Sequence, residues 1–105
     1  MKGSLPGVIM LYRWRVRAGS EDQFVQAWSG ITRQLRDERG SLGSRLHKGD
    51  DGLWYGYAQW PNANVVAEAF LEPVDELAAA HMRDAVIENF TPVKLDPVAD
   101  FLVFS

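Results

Sequence analysis

The chain has no cysteine among its 105 residues, which excludes several kinds of site. Without thiols there can be no disulfide framework, no iron–sulfur cluster and no cysteine nucleophile. No stretch approaches the ~18 consecutive apolar residues that a membrane span requires. The first 11 residues contain a proline and two glycines and no long apolar run, unlike a secretory signal. We therefore expect a cytoplasmic protein with no membrane partner.

Positive charge and histidine are also scarce. The chain has 11 Lys and Arg against 14 Asp and Glu, a net charge of −3, which argues against nonspecific binding to nucleic acid. The two histidines, His47 and His81, lie far apart in sequence and do not form a metal-ligand spacing. Asp50 and Asp51 are typical of a tight turn and not of a calcium loop. No phosphate-binding glycine loop is present, so we expect neither a metal nor a cofactor.

Apolar residues are plentiful by contrast. They make up 47% of the chain, enough for it to fold around a modest core. The length corresponds to one domain, and no linker or internal repeat divides the sequence. We expect a single domain over residues 1–105.

The segment LWYGYAQW at residues 53–60 is dense in aromatic side chains. The alternation of a β-strand places Trp54 and Trp60 on one face and Tyr55 and Tyr57 on the other. Neither face has the Val/Ile pattern of a strand that is buried only for stability. At least one face should therefore contact a ligand, a second chain or a nucleic acid.

Hydrophobic periodicity predicts the other elements. Residues 8–17 alternate as a strand, and a capping box of Ser20 and Gln23 begins a helix over residues 21–39 that ends at Gly40. A strand over residues 41–48 forms a hairpin with the aromatic strand. A short helix with Asn62 as its N-cap, a longer helix over residues 73–89 and a short strand over residues 98–104 complete the chain.

This order, β-α-β-β-α-β, predicts an α+β, ferredoxin-like fold with an antiparallel sheet. The helices can cover one face only, and the more apolar face, which carries Met10, Tyr12 and Trp14, should contact them. The bare face, with Leu11, Tyr57 and its neighbours, is too apolar to leave in water. We therefore expect a homodimer that packs sheet to sheet.

A row of arginines also lies on the bare face, at positions 13, 15 and 17. In such a homodimer these side chains could reach acids of the second subunit, such as Asp50 or Asp51. The alternative is a solvated row at the edge of the sheet.

Three segments of the chain resemble the antibiotic biosynthesis monooxygenase domain, a dimeric α+β barrel. They are LYRWRV at residues 11–16 with Gly19 and Phe24, GSLGSRLH at residues 40–47, and YAQWP at residues 57–61. The resemblance covers about residues 8–70.

This resemblance implies several alternative activities. Cofactor-independent members oxidise polycyclic aromatic substrates, whose deprotonated form reduces oxygen itself. Haem-degrading members use an Asn on the first strand, a Trp at the end of the third and a His on the next helix. Trp60 matches that Trp, but Tyr12 and Phe70 stand near the other two positions, so we do not expect haem degradation.

The candidate site lies between the sheet and the helices. A flat aromatic or quinone-like ligand would contact the residues that we predict to bind substrate: Trp14, Trp54, Trp60 and Phe70. His81, on the apolar stripe of the long helix, could act as a general base, and Tyr12 could donate a hydrogen bond to an oxyanion. Each has a structural alternative, because His81 could be a hydrogen-bonded core residue and the tryptophans could be packing anchors.

Two other functions fit the same pattern. A dimer that binds or senses an aromatic molecule without turnover would share every feature except a base. The RNA-recognition fold has the same element order, with aromatic residues on its third strand. The first strand, however, offers Leu11 and Arg13 where stacking aromatics are needed, and the net charge is negative, so we expect no nucleic-acid partner.

Overall fold

The computed structural model describes residues 7–103, in which eight helices and strands follow one another. In chain order they are β1 (Val8–Val16), α1 (Glu21–Glu38), β2 (Gly43–Lys48), β3 (Trp54–Trp60), α2 (Ala63–Ala69), α3 (Glu76–Ala85), β4 (Val86–Asn89) and β5 (Val93–Leu95). The strands form one antiparallel sheet in the order β2-β3-β1-β4, and β5 also pairs with β1. The predicted α+β, ferredoxin-like fold is confirmed.

The central strands pair as their alternation predicts. β1 and β3 pair from Val8 opposite Trp60 to Trp14 opposite Trp54, and the β2–β3 hairpin pairs Lys48 with Trp54. Residues directly opposite each other share a face of the sheet, so both tryptophans of β3 lie on the side of the helices. Two core clusters form on that side, one around Trp60 and one around Trp14 and Phe24.

The predicted capping box of α1 is wrong. Ser20 is the N-cap, but its side chain makes no capping hydrogen bond. Gln23 does not reach back to it and instead donates from Nε2 to the His81 carbonyl (2.8 Å) and to Asp84 Oδ2 (3.2 Å). Partners on α3 therefore replace the local one, and Gln23 joins the two helices.

The other end of α1 is close to the prediction. The helix ends at Glu38, with Arg39 as its C-cap, and Gly40 follows with a φ of 86°. That left-handed conformation strongly favours glycine. On α2, Asn62 is the N-cap as predicted, and its side chain accepts a hydrogen bond from the Val65 N–H.

The predicted long helix over residues 73–89 is wrong. α3 begins only at Glu76, because the Asp75 carboxylate caps it by accepting from the N–H groups of Leu77 and Ala78. It ends at Ala85, and the next four residues form β4. The edge of β1 near Trp14 offers unpaired hydrogen-bonding groups, and pairing with it outweighs continuation of the helix.

The last strand also lies elsewhere than predicted. β4 pairs with the end of β1, β5 pairs with its beginning, and Pro92 lies between them, where it cannot donate to the ladder. The fourth strand of the fold is thus supplied in two pieces. Residues 98–103 form no strand, and Phe104, the rest of the predicted strand that ended there, lies outside the described residues.

Candidate active site

A cavity of about 280 Å³ lies between the sheet and the helices. Its floor is the helix-facing side of the sheet, and its lining there comprises Tyr12, Trp14, Ser44, Gly56, Ala58 and Trp60. The roof comes from α1, from the segment between α2 and α3, and from α3: Trp28, Ile31, Thr32, Leu35, Phe70, Val74, Ala79, Met82 and Arg83. Val86 and Asn89 of β4 extend the floor at the edge of the sheet. The lining is mostly apolar and aromatic, as in small-molecule sites.

Small residues on β3 create the hollow. Gly56 and Ala58 lie on the same face as Trp54 and Trp60 and between them. The side chains of β3 on this face are therefore small at the centre of the strand and large at both ends. A Cβ on Gly56 would lie 2.9 Å from Cη2 of Trp14 and 3.0 Å from its Cζ3. Glycine therefore lets the Trp14 ring lie close to the strand. The alternation of large and small side chains, W-x-G-x-A-x-W, is a signal for the cavity that the prediction from sequence missed.

Aromatic contacts hold the walls in place. The rings of Tyr12 and Trp14 stack with centroids 5.9 Å apart and an interplanar angle of 15°. Trp14 also meets Phe24 edge to face at 5.2 Å, and Trp60 meets Phe70 at 6.2 Å. These geometries are favourable for aromatic pairs, and they present ring surfaces on which a flat ligand can stack.

The indole of Trp60 carries an unsatisfied hydrogen-bond donor. Its side chain is completely buried, and Nε1 has no acceptor among residues 7–103. An unsatisfied buried donor costs about 1–3 kcal/mol, so such groups call for a partner. Because Nε1 has almost no accessible surface, a ligand oxygen would reach it only after a neighbouring side chain moved.

Tyr12, which lines the same cavity, has a neutral hydroxyl. Burial disfavours its phenolate form and raises the pKa of Tyr12 above its ordinary value of 10.0. The side chain therefore stays protonated at neutral pH, so its hydroxyl can donate a hydrogen bond but is unsuited to act as a base.

Most of the residues predicted to bind substrate do line the cavity. Trp14, Trp60 and Phe70 are among them, as is Tyr12. Trp54 is not: its ring packs edge to face against Phe24 at 5.6 Å, and the Lys48 ammonium lies 5.6 Å from the ring centroid. Trp54 occupies the end of the sheet beyond the hollow, where it acts as a packing residue.

The prediction that His81 faces the sheet is wrong. His81 is exposed and lies in a separate surface groove with Gln23, Asp75 and Leu77. Leu77, expected on the buried stripe, is 68% exposed. The predicted catalytic role of His81 stays a prediction, and this placement does not favour it.

The orientation of α3 follows from its contact with α1. A Cβ placed on Gly30 of α1 would lie only 3.9 Å from the Cβ of Ala78, so small residues meet where the two helices approach. That contact turns Ala79 and Met82 into the cavity and turns His81 outward. The helical spacing alone did not distinguish these two sides of α3, because alanines occur on both.

Because it turned the wrong side of α3 inward, the prediction from sequence also missed a polar residue of the cavity. Arg83 lines it from the last turn of α3, and no hydrogen bond or ion pair joins its guanidinium to another residue in the described part of the chain. Asn89, Thr32 and Ser44 also line it. No carboxylate, imidazole or ammonium group is among the described lining residues, so Arg83 supplies the only charge there.

The antibiotic biosynthesis monooxygenase family matches residues 7–86 of the sequence. The chain belongs to this family. No curated protein sequence matches it.

Solved structures share the fold. The chain is similar to SnoaB, a cofactor-independent oxygenase from Streptomyces nogalater, with a TM-score of 0.77, 14% identity, and coverage of 92% of this chain and 98% of that one. It is similar to Rv0793 from Mycobacterium tuberculosis, with a TM-score of 0.73, 14% identity, and coverage of 90% and 98%. A conserved protein from Methanosarcina mazei Go1 gives a TM-score of 0.74 at 6% identity, with coverage of 89% and 94%. At these identities the likeness establishes the fold alone.

Two further observations concern residues 7–103. They contain no group of three or more His, Asp or Glu side chains arranged to hold a metal ion. None of their helices is both long enough and apolar enough to cross a bilayer.

Proposed function

We propose that this protein is a cofactor-independent monooxygenase that binds a small aromatic or quinone-like molecule between its sheet and its helices. The observation that carries the proposal is an apolar cavity with three tryptophans in its walls, one of which, Trp60, has an unsatisfied indole N–H. Membership of the monooxygenase family supports the same reaction class.

The reaction requires a substrate that forms a stabilised anion, such as an anthrone. Loss of a proton from its methylene group gives a carbanion, which transfers electrons to O₂ and forms a carbon–oxygen bond. The resulting hydroperoxide loses its second C–H proton as the O–O bond breaks, which yields a carbonyl group and water. One CH₂ group and one O₂ thus become one C=O group and one H₂O.

The polar groups of the cavity suit such an anion. The Trp60 N–H and the Tyr12 hydroxyl can donate to an oxygen on which negative charge develops, and Arg83 can stabilise the same charge by its cation. Such groups act most strongly where water is excluded, which applies to Trp60 and to the partly buried Tyr12 but not to the exposed Arg83. An aromatic ring would meanwhile stack on the Trp14 surface.

Deprotonation is the step for which the cavity offers least. Since no side chain with a pKa near neutrality lines it within the described chain, we propose that solvent takes the proton and that the site lowers the pKa of the substrate. The pH dependence of turnover would then follow the substrate that is used. A general base such as His81 would instead give one pKa for all substrates.

Oxygen consumption with anthrone tests the proposal. We expect Arg83→Gln to lower kcat/KM by about 10-fold, the value of one charged hydrogen bond, because Arg83 is too exposed to act as a fully desolvated oxyanion-stabilising group. Arg36→Gln is the matched control, because Arg36 is an exposed arginine of α1 that pairs with its neighbour Asp37. No oxygen uptake above the uncatalysed rate with anthrone or a dihydroquinone would refute the proposal.

A protein that binds an aromatic molecule without turnover is the second candidate. The described residues that line the cavity include no near-neutral base, which favours this candidate. It predicts that an aromatic ligand quenches tryptophan fluorescence at one site per chain while oxygen consumption stays at the uncatalysed rate.

We also propose that the protein is a homodimer, joined through the bare face of its sheet. Across that face Arg45, Tyr57, Leu11 and Val93 lie in one row, and Tyr57 and Leu11 are only half-buried. A second chain packed against this row would remove the apolar surface from water.

The segment after β5 adds to this apolar surface. Val98, Phe101 and Val103 are 96%, 93% and 92% exposed. Such exposure of three large apolar side chains is unfavourable in a monomer, and the same second chain would cover it.

The arginine row contributes less to the proposed dimer interface than its charge suggests, because Arg13 and Arg15 have partners within their own chain. Arg15 Nε lies 3.1 Å from Glu88 Oε1 in an exposed pair, and Arg13 lies over the Phe90 ring at 5.4 Å while donating to the Thr91 carbonyl. Residues on or next to β4 are thus partners within the same chain. Asp51 likewise accepts a hydrogen bond from the Tyr55 hydroxyl.

Sedimentation tests the dimer. Tyr57→Asp buries a charge in the proposed interface and should give monomers, whereas Gln26→Asp adds the same charge on an exposed position of α1 and should not. A Tyr57→Asp protein that sediments like the wild type would refute this interface.

A further inference from the structure

The segment between α2 and α3, residues 70–75, forms one wall of the cavity without being a helix or a strand. Phe70 contacts the Trp60 ring with a centroid distance of 6.2 Å, and Val74 lines the cavity beside it. Phe70 is 48% exposed and Leu71 is 77% exposed. Side-chain packing alone therefore holds this wall weakly.

The Arg39 side chain binds the backbone of this wall. Its Nη1 donates to the carbonyl oxygens of Ala69 and Glu72, and its Nη2 donates to that of Pro73, each over 2.7 Å. The planar guanidinium presents several donors in a fixed geometry, which suits it to join three acceptors at once. Residues on both sides of Phe70 and Leu71 are thus held by one side chain.

Arg39 is itself firmly placed. It is the C-cap of α1, and its backbone N–H donates to the Leu35 carbonyl. Gly40 follows with positive φ, and a Cβ there would lie 2.8 Å from Cγ1 of Val65 on α2. From the same helix, Gln34 Oε1 accepts a hydrogen bond from the Asp75 N–H at 2.8 Å. The end of α1 is therefore a fixed support for the irregular wall.

We infer that Arg39 is a positioning residue that holds Phe70 over Trp60 and thereby sets how fast ligands enter and leave the cavity. The inference rests on the proposed function in one respect, that the cavity is the ligand site. When the three hydrogen bonds are absent, residues 70–73 separate from α1 and Phe70 moves off Trp60, while Gln34 still holds Asp75. The cavity then opens on that side, and exchange of ligand becomes faster.

Stopped-flow tryptophan fluorescence with alizarin as the probe measures this exchange. We expect Arg39→Ala to raise the release rate by at least about tenfold, the change expected when one or two charged hydrogen bonds no longer hold the closed state. Arg39→Lys keeps the charge but cannot bind three acceptors at once, so its release rate should lie between those of the wild type and Arg39→Ala. Arg36→Ala, which removes an arginine from the exposed face of α1, should release alizarin at the wild-type rate.

A double mutant separates positioning from general destabilisation. If Arg39 acts through Phe70, then Phe70→Ala alone already opens the cavity, and adding Arg39→Ala changes the release rate by less than about twofold. A role in overall stability would instead add its full effect in either background. The inference is overturned if Arg39→Ala releases alizarin within twofold of the wild-type rate, or if its effect persists in full without Phe70. Should Arg39→Ala fail to fold, Arg39→Lys serves in the same cycle.

Hydrogen exchange of the Phe70 and Leu71 amides, which donate to the carbonyls of Ala67 and Glu68, tests the effect of the Arg39 hydrogen bonds without any ligand. We expect protection to fall in Arg39→Ala and to stay unchanged in Arg36→Ala. Unchanged exchange in Arg39→Ala would refute the positioning role of Arg39 but would not contradict the proposal that the cavity binds a ligand. Failure of alizarin to bind the wild-type protein would refute the cavity of the proposed function, and the gating role with it.

Discussion

A single methyl group added at two glycines should change stability in opposite directions. At Gly56 the new Cβ would lie 2.9 Å and 3.0 Å from two carbons of the Trp14 ring and 3.5 Å from Nε1 of Trp28. Carbon atoms pack best at roughly 3.5–4.0 Å, so the Trp14 ring would have to move by about half an ångström or more. That ring packs against Tyr12 and Phe24, so the movement would disturb both contacts.

The expected cost of Gly56→Ala follows from these contacts. Overpacking of a filled core costs about 1–3 kcal/mol, while replacing glycine in an ordinary strand conformation returns about 0.5–1 kcal/mol of backbone entropy. The net destabilisation should be about 1–2 kcal/mol. Because the methyl group also enters the cavity floor, binding of an aromatic ligand should weaken as well.

Gly30→Ala is the matched control. Gly30 lies within α1, and its new Cβ would meet only the Cβ of Ala78, at an ordinary contact distance of 3.9 Å. This substitution should stabilise the protein by about 0.5–1 kcal/mol, the difference in helix propensity between the two residues. Denaturant unfolding followed by tryptophan fluorescence measures both values. If Gly56→Ala were as stable as the wild type, or Gly30→Ala were less stable, the packing described for these two sites would be incorrect.

Three further predictions concern the cavity and its surroundings. Trp60→Phe removes the free N–H and should weaken the binding of anthraquinone about 2- to 10-fold, the value of one hydrogen bond. Anthracene has no acceptor, so its affinity should fall less. Equal losses of affinity for the two ligands would count against a hydrogen bond to the ligand. His81→Ala should leave the rate of anthrone oxidation within about twofold of the wild-type rate, since the side chain lies outside the cavity. A folded but inactive variant would restore His81 as the base. The raised pKa of Tyr12 means that the folded protein holds the hydroxyl proton more tightly than the unfolded chain does, so the contribution of this proton to stability is complete below about pH 10 and is lost as pH rises further. Above that pH the unfolding free energy of Tyr12→Phe should therefore fall less than that of the wild type. Parallel curves for the two proteins would contradict the burial of the hydroxyl.

Local patterns were sufficient for much of the fold. The alternation in β1 and β3, the turn between β2 and β3, and the caps at Asn62 and Gly40 are each decided by a few neighbouring residues, and the structure agrees with them. The face of the sheet that carries Tyr12, Trp14 and Trp60 follows directly from this alternation. Four of the six predicted site residues therefore line the cavity.

The second half of the chain required partners distant in sequence. Residues 86–89 satisfy a helical pattern, but they form β4 because the edge of β1 offers hydrogen bonds that no local pattern contains. The rotation of α3, which exposes His81 and brings Arg83 to the cavity, is set by its contact with Gly30 on α1. Gln23 likewise binds α3 in preference to its own helix start.

By itself, the sequence determined the type of sheet, the order of its first strands and the face that meets the helices, because these follow from side-chain alternation and turn chemistry. Only the tertiary structure decided which side of α3 faces inward, that Arg39 binds the cavity wall, and that the Trp60 N–H lacks a partner among the residues described. Those features depend on which residues from distant segments meet, and the periodicity of one segment carries no information about the surface of another.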